Sequence, residues 1–249
     1  LPGYRDTGLY YAQFHSVVAG NRTPEAARPL LPEDALLRSS TEQLFLVSLS
    51  DEEFYRRLLD PELKPFIKLV QKQEPFTMGL WSALDRGSIR RTLIHGDTKL
   101  ENFLFSNKTG RVKSLVDLDT IMPFTWLADY GDMLRSLVNV AGEKERDLSK
   151  VVIDREVYEA VSKGFLGAAK NVTQEELDMM VFSVEAITLE LGLRFLTDYL
   201  RGDTYFQLAG DDPADLNKTR AMVQLTLYQR LAEFEPEAHR RLSNYRVRA

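Results

Sequence analysis

The sequence predicts a mainly α-helical fold with a small β-hairpin set into it. Helical apolar spacing runs through most of the chain, and two capping boxes, "SDEE" at 50–53 and "TQEE" at 173–176, mark helix starts. The pattern is interrupted once, where the short apolar runs "FLF" at 103–105 and "VKSLVDL" at 112–118 flank "SNKTGR". With 249 residues, 44% of them hydrophobic, the chain can bury a substantial core, and it shows no internal repeat or low-complexity tract. It reads as one unit over residues 1–249.

The elements follow in order. Residues 1–20 begin with turn formers and pass into a short helical segment with Leu9, Phe14, Val17 and Val18 at apolar positions. Residues 21–34 hold Pro24, Pro29 and Pro32 and read as loop. Ser50 as N-cap with Glu53 at N3 opens a helix to about Leu59, and residues 64–90 read as helix with an interruption at Pro75. Asn107 and Gly110 suit the turn of the hairpin. After Pro123 the helical period returns. The helix behind Thr173 reaches about Tyr199 and is apolar on nearly every side, which makes Glu185, Glu190, Arg194 and Asp198 unusual for their location. A last helix is expected from Leu216 to Phe234, ending before Pro236.

Composition removes several function classes. Lys+Arg 32 against Asp+Glu 37 gives a net charge of −5 with no long basic run, so a nucleic-acid partner is not expected. There is no cysteine, which excludes disulfides and thiolate metal sites. Apolar runs such as "LFLV" at 44–47 are too short to span a bilayer, and no signal-peptide pattern opens the sequence. A cytoplasmic location is expected.

The chemistry is concentrated in Thr92–Thr120, "TLIHGDTKLENFLFSNKTGRVKSLVDLDT". Asp97 lies in a loop, Asn102 follows five residues on, and Asp117 stands at the far end of the hairpin that returns the chain to the same place. Phosphoryl transfer uses such a set, because it needs positioning and charge neutralisation more than covalent help. Mg²⁺ takes one or two carboxylates beside substrate phosphates, which suits Asp117 and Asn102 as ligands with Asp119 as a further one. Asp97 remains to orient or deprotonate the attacking hydroxyl, and Lys99 can meet a transferring phosphate as a point charge. His95 is better suited to holding the loop than to proton transfer. Histidine metal binding is not expected, since His15, His95 and His239 are not at ligand spacing.

"HGDTKLEN" followed by "VDLDT" is close to the catalytic loop of protein kinases, although D-F-G and A-P-E are missing. The pattern H-G-D-x-x-x-x-N with a following hydrophobic-D-x-D resembles the aminoglycoside phosphotransferase and choline kinase family, which has a protein-kinase-like fold. The resemblance implies a small-molecule kinase using ATP and Mg²⁺, with Asp97 catalytic, Asn102 and Asp117 on the metal, and Asp132 of "DYGDMLRS" bracing the loop. "VDLDTIMPFTWLADYGDMLRS", "ERDLSK" and "TLELGLRFLTDYLRGDTYF" are similar to bacterial N-acetylhexosamine 1-kinases. That similarity implies that Asp97, Arg194 and Tyr205 hold the acceptor sugar, in helices over about 173–206. Arg194 can alternatively pair with Glu190 one turn earlier, and Tyr205, Trp81 and Trp126 can be core aromatics.

The whole chain then corresponds to a C-terminal lobe, with catalytic loop and metal hairpin over 93–120. The first 90 residues offer no Gly-rich loop and no strand lysine, and residues 1–20 resemble the first helix after the hinge. The expectation is a lobe without its N-terminal partner, either a fragment or a natural short protein, which exposes an apolar face and can oligomerise. Two other readings stand beside the sugar kinase. One is an aminoglycoside or choline kinase, for which the acidic "GDDPAD" at 210–215 is the cue, and the other is a lobe that binds ligand without catalysis.

Overall fold

The computed structural model describes residues 7–23 and 46–245, so most of the loop expected over 21–34 lies outside the described residues. Helices α1 (Thr7–Val18), α2 (Asp51–Leu58), α3 (Lys64–Lys72), α4 (Glu74–Thr77) and α5 (Gly79–Asp85) precede four short strands. These are β1 (Thr92–Ile94), β2 (Phe103–Phe105), β3 (Val112–Leu115) and β4 (Met122–Phe124). Helices α6 (Trp126–Val138), α7 (Arg155–Ala168), α8 (Gln174–Asp178), α9 (Met180–Arg201) and α10 (Leu216–Leu242) complete the order.

Helix α9 is the spine. Nineteen of its residues are buried, because most positions on every side of it are apolar. Its first half, Met180 to Ile187, packs with α6, α7 and α10, while Leu189 to Leu200 pack with α1, α2 and α3. Helix α6 crosses it at Gly131, where a β-carbon would lie 2.6 Å from the Ser183 carbonyl oxygen. Only glycine allows that approach.

Both capping residues cap their helices, but only Thr173 completes its box, since the Glu53 carboxylate is taken by Arg56 and Arg57. The Ser50 hydroxyl accepts from the Glu53 amide, and Thr173 and Glu176 form a reciprocal box. Four other details differ from expectation. Residues 64–90 split into three helices, with Pro75 starting α4, where its missing N–H does no harm. The helix capped by Thr173 breaks at Met179, so α8 and α9 are separate elements. Helix α10 continues through Pro236 to Leu242. A mid-helix proline costs about 3 kcal/mol, and burial of Ala238 and Leu242 beyond it, with Arg241 paired to Glu237 and Glu159, offsets that cost. Finally, the described residues form two ribbons rather than one. Beside the expected β2–β3 hairpin, β1 pairs antiparallel with β4, Thr92 opposite Phe124. Pro123 is admitted because each strand of a two-stranded ribbon has a free edge.

The ribbons are nested. The β2–β3 hairpin sits between β1 and β4 in the chain, so residues 95–102 and 116–121 are the two connections joining one ribbon to the other, and they face each other. No helix among the described residues is long and apolar enough to cross a membrane.

Candidate active site

The first connection carries His95, Asp97, Lys99 and Asn102. Gly96 has φ +81°, and a β-carbon there would stand 2.6 Å from the Thr120 carbonyl oxygen, so the loop turns only with glycine at this position. The Asp129 carboxylate on α6 accepts the His95 and Gly96 amides, each at 2.8 Å, and its carbonyl accepts from the Thr98 hydroxyl at 2.6 Å. Burial pushes the Asp129 carboxyl above its ordinary range, against the pull of those two amides.

His95 spends both ring nitrogens on the loop. Nδ1 accepts the Asp97 amide at 3.3 Å, and Nε2, carrying the proton in the tautomer this requires, donates to the Val116 carbonyl at 3.1 Å. The Thr120 hydroxyl donates to the His95 carbonyl at 2.7 Å, and the Val116 amide donates to that of Asn102 at 3.0 Å. The two connections are thereby stitched together.

Within this frame Asp97 Oδ2 accepts from Lys99 Nζ at 2.7 Å and from Asn102 Nδ2 at 2.9 Å. Asn102 Nδ2 also donates to the Asp97 carbonyl at 2.8 Å, which fixes the amide so that its own oxygen points away from Asp97. Asp117 takes the left-handed conformation, φ 68°, a strained choice for a residue other than glycine and one that clusters at functional sites. It and Asp119 are both exposed, on the turn opposite Asn102. Among the described residues no three histidine or carboxylate side chains converge to hold a metal. A donor set of one amide oxygen and one or two carboxylates is nonetheless what Mg²⁺ accepts when substrate phosphates supply the other ligands, so these residues fit that ion.

Asp132 is placed differently from the brace expected of it. It is buried one turn beyond Asp129, and its Oδ1 accepts Arg135 Nε at 2.9 Å, while the bonds to the loop are made by Asp129. Burial raises the Asp132 carboxyl, Arg135 opposes this, and the nearby charge of Asp97 adds to it.

Arg194 and Tyr205 come together, Arg194 Nη2 donating to the Tyr205 hydroxyl at 3.2 Å, while Asp97, expected to hold the acceptor with them, does not line their pocket. Arg194 and Tyr205 line an open pocket with Tyr10, Gln13, Arg201 and Phe206. The guanidinium lies 4.9 Å from the Tyr10 ring centre and 5.4 Å from that of Tyr205. Asp198 builds the wall: its carboxylate accepts the amides of Thr204, Tyr205 and Phe206 at 3.1, 2.9 and 2.8 Å. One turn before Arg194 on α9, Glu190 accepts from the Thr7 hydroxyl at 2.7 Å and shares a smaller cavity with Trp81 and Phe124. Both cavities are lined by residues of α1 and α9, and the smaller one also by Phe124 of β4. Trp126 stacks on Phe165 within the core.

Asp198 and Glu190 were visible in the sequence as charges on an apolar helix, but their roles were not. Gly96→Ala is expected to destabilise the protein by at least ~1–2 kcal/mol, the left-handed cost alone, and urea unfolding checks this.

The family model described as phosphotransferase enzyme family matches residues 3–152, more than half of the chain. That span includes both connections and α6.

Proposed function

The chain belongs to the phosphotransferase enzyme family, and from that premise we propose that it is an ATP- and Mg²⁺-dependent small-molecule kinase whose acceptor is an N-acetylhexosamine, phosphorylated at its anomeric hydroxyl. The observation carrying this reading is the clamped Asp97, held by Lys99 and Asn102 on a loop pinned through Asp129. A carboxylate fixed in this way can orient an acceptor hydroxyl and take its proton as that oxygen bonds to the γ-phosphorus and the bridging P–O bond to ADP breaks. Lys99 stands beside it as a charge for the transferring phosphoryl group. Asn102 and Asp117, with Asp119 next to them, would hold Mg²⁺, which neutralises charge on the phosphates.

The Arg194–Tyr205 pocket supports a sugar as acceptor. It offers aromatic faces and hydrogen-bond donors, the usual means of gripping a polyhydroxylated ring. The aminoglycoside reading rested on the acidic stretch at 210–215. There Asp212 pairs with Lys144 at 3.1 Å and Asp215 with Arg146 at 2.7 Å, so two of its three carboxylates are met within the protein.

The reading of the chain as a C-terminal lobe draws support from the ribbons. Leu93, Leu104, Phe105, Val112, Leu118 and Ile121 all stand exposed there, an apolar surface of the kind a covering lobe would bury.

Coupled ADP release by the full-length protein tests the proposal, with N-acetylglucosamine, N-acetylgalactosamine and kanamycin as acceptors. Turnover is expected with a hexosamine and not with kanamycin. Turnover with kanamycin alone would transfer the assignment to the aminoglycoside kinases, and hexosamine binding without turnover would favour a lobe that only binds.

A further inference from the structure

Glu143 lies in the segment after α6, outside the catalytic loop and the Arg194–Tyr205 pocket, yet it joins two buried networks. Its Oε1 accepts Arg135 Nη1 at 2.8 Å and Gln224 Nε2 at 3.4 Å, and its Oε2 accepts Arg220 Nη2 at 3.1 Å. Arg135 is 3% exposed and also grips Asp132, so Asp132, Arg135, Glu143 and Arg220 form a line of alternating charge from α6 to α10.

Each end of the line touches a different part of the site. At the α6 end, Asp132 lies near enough to Asp97 for the two charges to oppose each other, and Ser136 on the same helix accepts the Leu100 amide at 3.1 Å. At the α10 end, the Arg220 guanidinium lies 4.3 Å from the Phe195 ring centre and 5.9 Å from that of Phe206. Arg220 also reaches Asn217 Oδ1 at 3.5 Å. Asn217, wholly buried, donates to the Phe206 carbonyl at 2.7 Å and to Asp203 Oδ1 at 2.9 Å. The turn bearing Tyr205 and Phe206 is thus held from α9 by Asp198 and from α10 by Asn217 and Arg220.

We propose that Glu143 is a positioning residue that ties the wall of the Arg194–Tyr205 pocket to the helix supporting the catalytic loop, and so sets acceptor affinity without touching the acceptor. The proposal rests on the reading of that pocket as the acceptor site. Losing the Glu143 charge leaves two guanidiniums facing each other across one weakened acceptor, and charge-assisted bonds are about twice as strong as neutral ones. Arg135 keeps Asp132, whereas Arg220 loses its only carboxylate among the ion pairs formed by the described residues. The pocket side therefore loosens more than the catalytic side.

The test compares wild type, Glu143→Gln, Arg220→Lys and, as a surface control, Glu52→Gln. Amide hydrogen exchange at Tyr205 and Phe206 is expected to be at least about fivefold faster in the first two variants and unchanged in the control. The acceptor KM is expected to rise about tenfold with the ATP KM unchanged, a split that general destabilisation would not produce. Should Glu143→Gln fail to fold, Arg220→Lys, at the more exposed end, carries the same two readouts. Exchange rates equal to wild type, or both KM values rising together, would overturn the proposal. If the wild type binds no hexosamine, the functional reading falls, and the exchange comparison, which needs no catalysis, still decides the role of Glu143.

Discussion

Asp97→Asn is expected to lower kcat by about 10²- to 10⁴-fold while leaving the fold intact. The substitution is nearly isosteric, and an amide oxygen in the place of Oδ2 can still accept from Lys99 and Asn102. What disappears is the negative charge and the ability to take a proton from the acceptor hydroxyl. The loop itself does not depend on that carboxylate. Its backbone is fixed by Asp129 at the His95 and Gly96 amides and by His95 at Val116. Steady-state turnover and a thermal melt on the same sample make the check. A variant within tenfold of wild-type kcat would remove Asp97 from the proton-transfer role. An inactive variant that also melts early would mean that the loop needs the charge for structure.

The parts of this fold that were legible in the sequence are those whose signals are local. A capping box names its helix start because both partners lie within four residues, and Thr173 with Glu176 forms one in three dimensions. The β2–β3 hairpin was legible from a turn with glycine at positive φ between apolar runs. The β1–β4 ribbon was not, because three-residue strands about thirty residues apart carry too little alternation to register. Pro236 misled for a related reason: a proline argues for a helix end locally, while the packing of Ala238 and Leu242 that overrides it is tertiary.

The site divides in the same way. His95, Asp97, Lys99 and Asn102 share one short loop, so their spacing foretold their contacts. Whether Asp129 or Asp132 braces that loop depends on which face of α6 meets it, and a difference of three residues leaves both near the same face. Arg194 and Tyr205 were marked by resemblance and do meet, but the wall behind them is assembled from α1, α9 and α10. Glu143 had no signal at all. It sits in a polar stretch where a glutamate is unremarked, and its partners are eight residues back and nearly eighty residues on.

Glu185 is the one odd charge of α9 that serves neither loop nor pocket, and it is expected to make stability fall as pH rises. It is 4% exposed, and its Oε1 has no hydrogen-bond partner among the described residues. Around it stand Glu235 and Tyr228 from α10 and Tyr158 from α7, none of which supplies a positive charge. Burial, reinforced by repulsion from Glu235, pushes its carboxyl up to about 8 from 4.5. Between those values the folded protein holds a proton that the unfolded chain has released, so the slope of unfolding free energy against pH is negative there. The contribution is fully present below the unfolded value and is lost as pH rises through the folded one, about 5 kcal/mol in total. Other buried carboxyls titrate as well: Asp129, Asp132 and Asp203 are raised and Glu143 is lowered, so the wild-type curve alone is a sum. The difference between wild type and Glu185→Gln isolates this residue. The two are expected to have similar urea midpoints near the acid end, where the carboxyl is protonated and resembles an amide. Towards alkaline pH they should diverge, the variant becoming the more stable. Parallel curves across the range would mean that Glu185 is ionised in the folded protein and has found a partner there.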